Sequence, residues 1–117
     1  MKIDHSISQR DLPLDVQVLN ISLNLARLSQ WVFEGDSKRA ELIDKFLNQT
    51  KNYLNDLDSQ EISVEFKPTL DRFKKEFTKL QQTITAENRL YWAEKALTWA
   101  NILQHRARLA ARQARLP

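Results

Sequence analysis

The residues able to do chemistry are few, and their spacing does not suit it. His5 and His105 are the only histidines, and neither follows a glutamate by three positions. The Glu-x-x-His repeats that hold a di-metal centre inside a helical bundle are therefore absent, as is the His-Glu-x-x-His zinc signature. There is no cysteine, which removes thiolate nucleophiles, thiolate metal ligands and disulfides together. A single glycine, Gly35, cannot build a loop whose successive N–H groups cradle a phosphate. Asp56, Asp58, Glu61 and Glu65 lie close in sequence, but without a turn glycine or regular ligand spacing they read as a solvated acidic rim. No catalytic residue, metal ligand or cofactor site is expected, and no small-molecule substrate is evident.

What remains is a charge pattern. All 15 acidic residues lie at or before Glu94, together with 13 of the 18 basic ones. Lys95, Arg106, Arg108, Arg112 and Arg115 follow with no further acidic side chain. At about 100° per residue, Arg108, Arg112 and Arg115 share one side of a helix, with His105 near them and Leu109 and Leu116 at its edge. Positive side chains at a helix C-terminus complement the dipole and keep the tip soluble. The same guanidinium forks also suit an anionic surface, whether an acidic protein patch or the phosphates of nucleic acid. Nucleic acid is the alternative reading, since so few arginines neutralise few phosphates and no zinc-finger, RNA-binding-strand or helix-turn-helix motif accompanies them. A membrane surface ranks lower, because the apolar residues of 104–117 are alanines apart from Leu109, Leu116 and the final proline.

The elements that position these residues are helical. One Gly and three Pro in 117 residues leave too few turn formers for an all-β fold, and a 42% hydrophobic share is enough for one core. The first helix starts at Pro13 behind Asp11 as a candidate N-cap. Its apolar residues form one row through Leu14, Val18, Ile21, Leu25, Leu28 and Val32. A second row runs through Val16, Leu19, Leu23, Ala26 and Phe33, and together they make a face suited to the inside of a bundle. Gly35 ends this helix and Asp36 or Ser37 caps the next, which runs to Leu57 or Asp58. A third helix spans Pro68 to Gln82, with Phe66, Leu70, Phe73, Phe77, Leu80 and Ile84 in step, and Thr83 or Thr85 caps a fourth from Ala86 to Leu116. Trp92 and Trp99 are one heptad apart on that helix and read as core anchors against alanines, with a base-stacking platform the minority view.

The expected fold is all-α: a four-helix up-and-down antiparallel bundle with an overlong basic C-terminal helix. Its parts are a loosely ordered arm over residues 1–11, a bundle domain over 12–103 and a basic extension over 104–117. The fourth helix, about 46 Å long at 1.5 Å per residue, would overhang its shorter neighbours by about 15 Å. A fainter apolar stripe of Tyr91, Ile102, Leu109 and Leu116 lies beside its main row. For Tyr91 and Ile102 it serves either a flanking helix or an oligomer seam; for Leu109 and Leu116 the overhang favours a partner. The functional expectation is a small, non-enzymatic protein–protein interaction module. It would work as an oligomer or a partner subunit, docking through Tyr91, Ile102, His105, Arg108, Leu109, Arg112, Arg115 and Leu116. The N-terminus lacks the apolar stretch of a secretory signal, so a cytoplasmic location is expected.

Overall fold

The first helix stops where its left-handed residue sits. In a computed structural model that describes residues 9–82 and 84–112, apart from the side chains of 111 and 112, α1 covers Leu14–Glu34. Gly35 follows with φ 70° and ψ 22°, and its N–H donates to the Trp31 carbonyl at 3.1 Å. The positive φ favours glycine, and a β-carbon there would stand 3.0 Å from the Arg89 guanidinium, which would have to shift. Asp36 then accepts from the Lys38 N–H at 2.9 Å and opens a 3-10 turn, Ser37–Arg39, that leads directly into α2, Ala40–Asp58. α3 is Lys67–Leu80, with Pro68 in its first turn, and α4 is Arg89–Arg112. No strand occurs among the described residues, and no helix there is long and apolar enough to cross a membrane.

Two boundaries differ from expectation. Pro13, not Asp11, occupies the N-cap of α1 and offers no capping side chain. The entry is fastened instead by Gln17, whose Nε2 donates to the Leu12 carbonyl at 2.8 Å and to Gln60 Oε1 at 3.0 Å. α4 begins at Arg89 rather than Ala86, because Thr85 and Asn88 cap each other first. The Thr85 N–H donates to Asn88 Oδ1 at 2.7 Å, and the Asn88 N–H donates to the Thr85 hydroxyl at 3.2 Å. Thr83, the other capping candidate, lies outside the described residues.

Paired contacts fix the helix directions. Ser22 donates to the Ala100 carbonyl at 2.7 Å and Ser29 to the Ala93 carbonyl at 2.6 Å, so α1 ascends as α4 descends. The small side chains Ala93, Ala96 and Ala100, all at most 3% exposed, let these two helices approach closely, and theirs is the most extensive helix contact. α2 runs against α1: Gln60 meets Gln17 at one end, Asn24 meets Thr50 midway, and the Trp31 ring meets Phe46 edge-on at 5.1 Å at the other. α3 runs against α4 through Thr69 with Arg106, Phe73 with Trp99, and the Leu80 carbonyl with the Trp92 indole N–H at 2.7 Å. Trp92 and Trp99 are buried and Trp31 half-buried, so all three serve the interior.

Up to Ala110 the part of α4 expected to begin an overhang is packed, and residues 113–117 lie outside the described residues. Leu103, Ala107 and Ala110 are each at most 2% exposed, and Leu109 packs half-buried against the main core. Cover comes from the segment between α2 and α3, where the Ser63 hydroxyl donates to the Leu109 carbonyl at 2.5 Å and Phe66 is fully buried. The arm is likewise anchored at its end: the Gln9 N–H donates to Asp56 at 3.1 Å, and its side chain accepts from Asn20 at 2.6 Å. Ile3 and Ile7, the residues expected to pin it, lie outside the described residues.

Candidate interaction surface

The fainter stripe on α4 does not form a continuous surface. Tyr91 is 64% exposed, with the Lys95 ammonium 5.5 Å from its ring centre. Ile102 and Leu109 instead turn inward and pack half-buried on the main core. His105 and Arg108 are exposed. Arg112 is the last residue of α4, and its side chain lies outside the described residues, as do Arg115 and Leu116 altogether. Arg106 reaches back to the Thr69 hydroxyl at 3.3 Å. Among the described arginines of this segment, Arg108 alone fits the expected free-standing anion surface.

The apolar surface lies on another face of the same helix. Leu90 and Leu97, 55% and 47% exposed, are one heptad apart and share a side of α4 with Glu94. Across from them on α1 stand Leu23 and Phe33, 53% and 61% exposed, with Leu19 at the boundary of exposure. A groove of about 680 Å³ runs between the two helices, floored by Ser29 and Ala93 and walled by Phe33, Leu90, Glu94 and Leu97. This is the outer side of the α1–α4 pair, the side that α2 and α3 leave uncovered. The second apolar row of α1 was expected inside the bundle; Leu19, Leu23 and Phe33 correct that expectation. A four-helix bundle gives each helix two neighbours, and the two apolar rows of α1 subtend more than those neighbours cover.

The surface has unlike ends. Leu90 and Arg108 differ by 18 positions, about five turns, so Arg108 continues the Leu90–Leu97 line toward the C-terminal end of α4. Glu94 lies near the other end, where Glu34 and Glu87 are also exposed. Leu90 and Leu97 were legible only as a heptad pair beside Trp92 and Trp99, a signal obscured by the stronger tryptophan and alanine row.

Other candidates are weaker. A cleft of about 640 Å³ opens beside Gly35, with walls from Trp31, Ile43, Leu47 and Ile84. Its one cation, Arg89, is occupied: the guanidinium donates to the carbonyls of Val32 and Phe33 and satisfies the open end of α1. The acidic residues 56–65 are dispersed, with Asp56 holding Gln9 and Arg10 and Asp58 paired with Lys74. Among the described residues no group of three or more His, Asp or Glu is placed to hold a metal ion. Comparison with protein-family models, curated proteins and solved structures finds no match to this chain.

Proposed function

We propose that this chain is a small non-enzymatic protein–protein interaction module: an up-and-down antiparallel bundle that docks through its basic fourth helix together with the outer side of α1. One observation carries the reading. Five large apolar side chains stand 36–61% exposed on two adjoining helices, three of them (Phe33, Leu90 and Leu97) along a single groove, while residues one row away are sealed. Scattered surface leucines are ordinary, but an aligned set on a helix pair is the form of a docking face. Arg108 and the arginines beyond it would then orient the partner by charge at one end of the face. The nucleic-acid alternative draws less support, because Arg106 is engaged with Thr69 and Lys95 lies over Tyr91.

The test is affinity capture from the native cell with the full chain and with a Leu23→Glu/Leu97→Glu variant, whose helicity is checked by circular dichroism. Interactors held by the first and lost by the second are the expected outcome. An identical set of captured proteins for both would remove this face from the function. Loss of capture on nuclease treatment would instead support the nucleic-acid reading.

A further inference from the structure

We propose that the occupant of the α1–α4 outer face is a second copy of this chain, packed face to face about a two-fold axis lying in the interface and perpendicular to the helices. The inference rests on the docking reading above and names its partner.

The choice of axis follows from charge. A two-fold parallel to the helices would set the acidic end of one face on the acidic end of the other. A two-fold perpendicular to them reverses the partner, so that Glu94 of each copy meets the Arg108 end of its mate. If these two positions exchange, the axis passes midway between them, at Asn101, which is exposed on the same side of α4.

The register can then be checked on α1, which played no part in choosing it. Ser22 pairs with Ala100 and Ser29 with Ala93, so positions at one height in α1 and α4 sum to about 122. Asn101 therefore lies level with position 21. Rotation about that level exchanges Leu19 with Leu23, placing each against the other across the interface. Leu19 and Leu23 thus meet on α1 while opposite charges meet on α4, where Leu97 falls opposite position 105 of the mate and Leu90 opposite position 112. Asn101 meets its own copy on the axis, where an amide carries both a donor and an acceptor and can pair with itself. A polar pair inside an apolar seam fixes register, because slipping it leaves amides unpaired. A standard interface takes about 800 Å² per partner. That is one-tenth of the 7933 Å² that this chain exposes, an area within reach of a face two helices wide.

Sedimentation equilibrium of the full chain tests the proposal. The wild type should be a reversible dimer at micromolar concentration, and Leu23→Glu should be a monomer of unchanged helicity. Glu94→Arg and Arg108→Glu should each weaken dimerisation by about tenfold, and the double exchange should restore it, since each mutated residue faces the other in the mate. Because the chain has no cysteine, Asn101→Cys alone should be joined to its copy by a short thiol crosslinker. A Lys45→Cys control on the exposed side of α2 should not be joined. A monomeric wild type overturns the proposal, and so does a dimer indifferent to Leu23→Glu. A double charge exchange that fails to restore dimerisation overturns this register. The docking reading fails separately: a monomer that still loses captured proteins in Leu23→Glu/Leu97→Glu refutes only the self-partner, whereas unchanged capture refutes both.

Discussion

Helix α1 carries two rows of large apolar residues with opposite fates. Ile21, Leu25, Leu28 and Val32 are at most 2% exposed, whereas Leu19, Leu23 and Phe33 are 36–61% exposed. Residue type does not separate the rows; their neighbours do. Toward the inner row come α2, α3 and the alanine face of α4. Toward the outer row comes only the flank of α4, with Leu90 and Leu97 exposed beside it. The difference teaches that an apolar row states a demand for cover without saying whether the same chain supplies it. In this bundle the inner demand is met internally and the outer one is not.

The largest effect that should separate the rows is truncation. Leu28→Ala, at a fully sealed site, should lower stability by about 2–5 kcal/mol, because the transfer free energy is lost and a cavity remains. Leu23→Ala, half in solvent, should cost less than about 1 kcal/mol in dilute solution. Urea titrations of both variants measure this. The comparison can be sharpened by concentration: if the outer row is covered by a second copy, the cost of Leu23→Ala should grow as protein concentration rises, and that of Leu28→Ala should not. Equal costs in dilute solution would break the distinction between the rows.

A smaller effect should appear at adjacent residues of α4. Ala96 is fully buried in the seam with α1, and Leu97 points into the open groove. Enlarging the first, Ala96→Leu, should force the helices apart at a cost of about 1–3 kcal/mol and weaken the Ser22 and Ser29 hydrogen bonds to α4. Shrinking the second, Leu97→Ala, should change stability by no more than about 0.5 kcal/mol. Thermal unfolding of the two single variants is the measurement. A stable Ala96→Leu would mean that the seam is looser than its two short hydroxyl contacts require.

Much of the frame was legible in the sequence, and the losses share a cause. Gly35 and Asp36 marked the first turn because backbone chirality and capping act within a few residues. The row of α3, Leu70, Phe73, Phe77 and Leu80, was readable from period alone. Period gives the angle of a side chain about its own helix but not the height or side of its neighbours, and every error of the site follows from that. The overhang reading sends Leu109 to a partner, yet the Ser63 hydroxyl bonds its carbonyl and it packs on the main core, as does Ile102, for which period leaves a flanking helix and a seam equally open. Leu23 and Phe33 were assigned inward, although nothing in the described structure covers them. The close seam at Ser22 and Ser29 was missed because two serines within an apolar helix look like interruptions. Only the facing alanines of α4 reveal them as the place where the helices come closest.

The smallest effect expected is a proton equilibrium that reports on the inner layer without altering a contact. Tyr53, on α2, packs half-buried against the main core, and burial, with the nearby Asp56 carboxylate in second place, raises its phenol pKa above the ordinary 10.0. The folded chain therefore holds this proton to higher pH than the unfolded chain does. The resulting stabilisation is fully present below pH 10.0, the unfolded value, and is lost as pH rises through the folded value. It is small, because the ring is only partly enclosed. In a Tyr91→Phe variant Tyr53 is the only tyrosine left, so ultraviolet titration follows it alone. The midpoint should lie above 10.0 in buffer and return to it in denaturant. A folded midpoint at or below 10.0 would place Tyr53 outside the inner layer. The large apolar positions of α2 would then need the same reassignment that the outer row of α1 required.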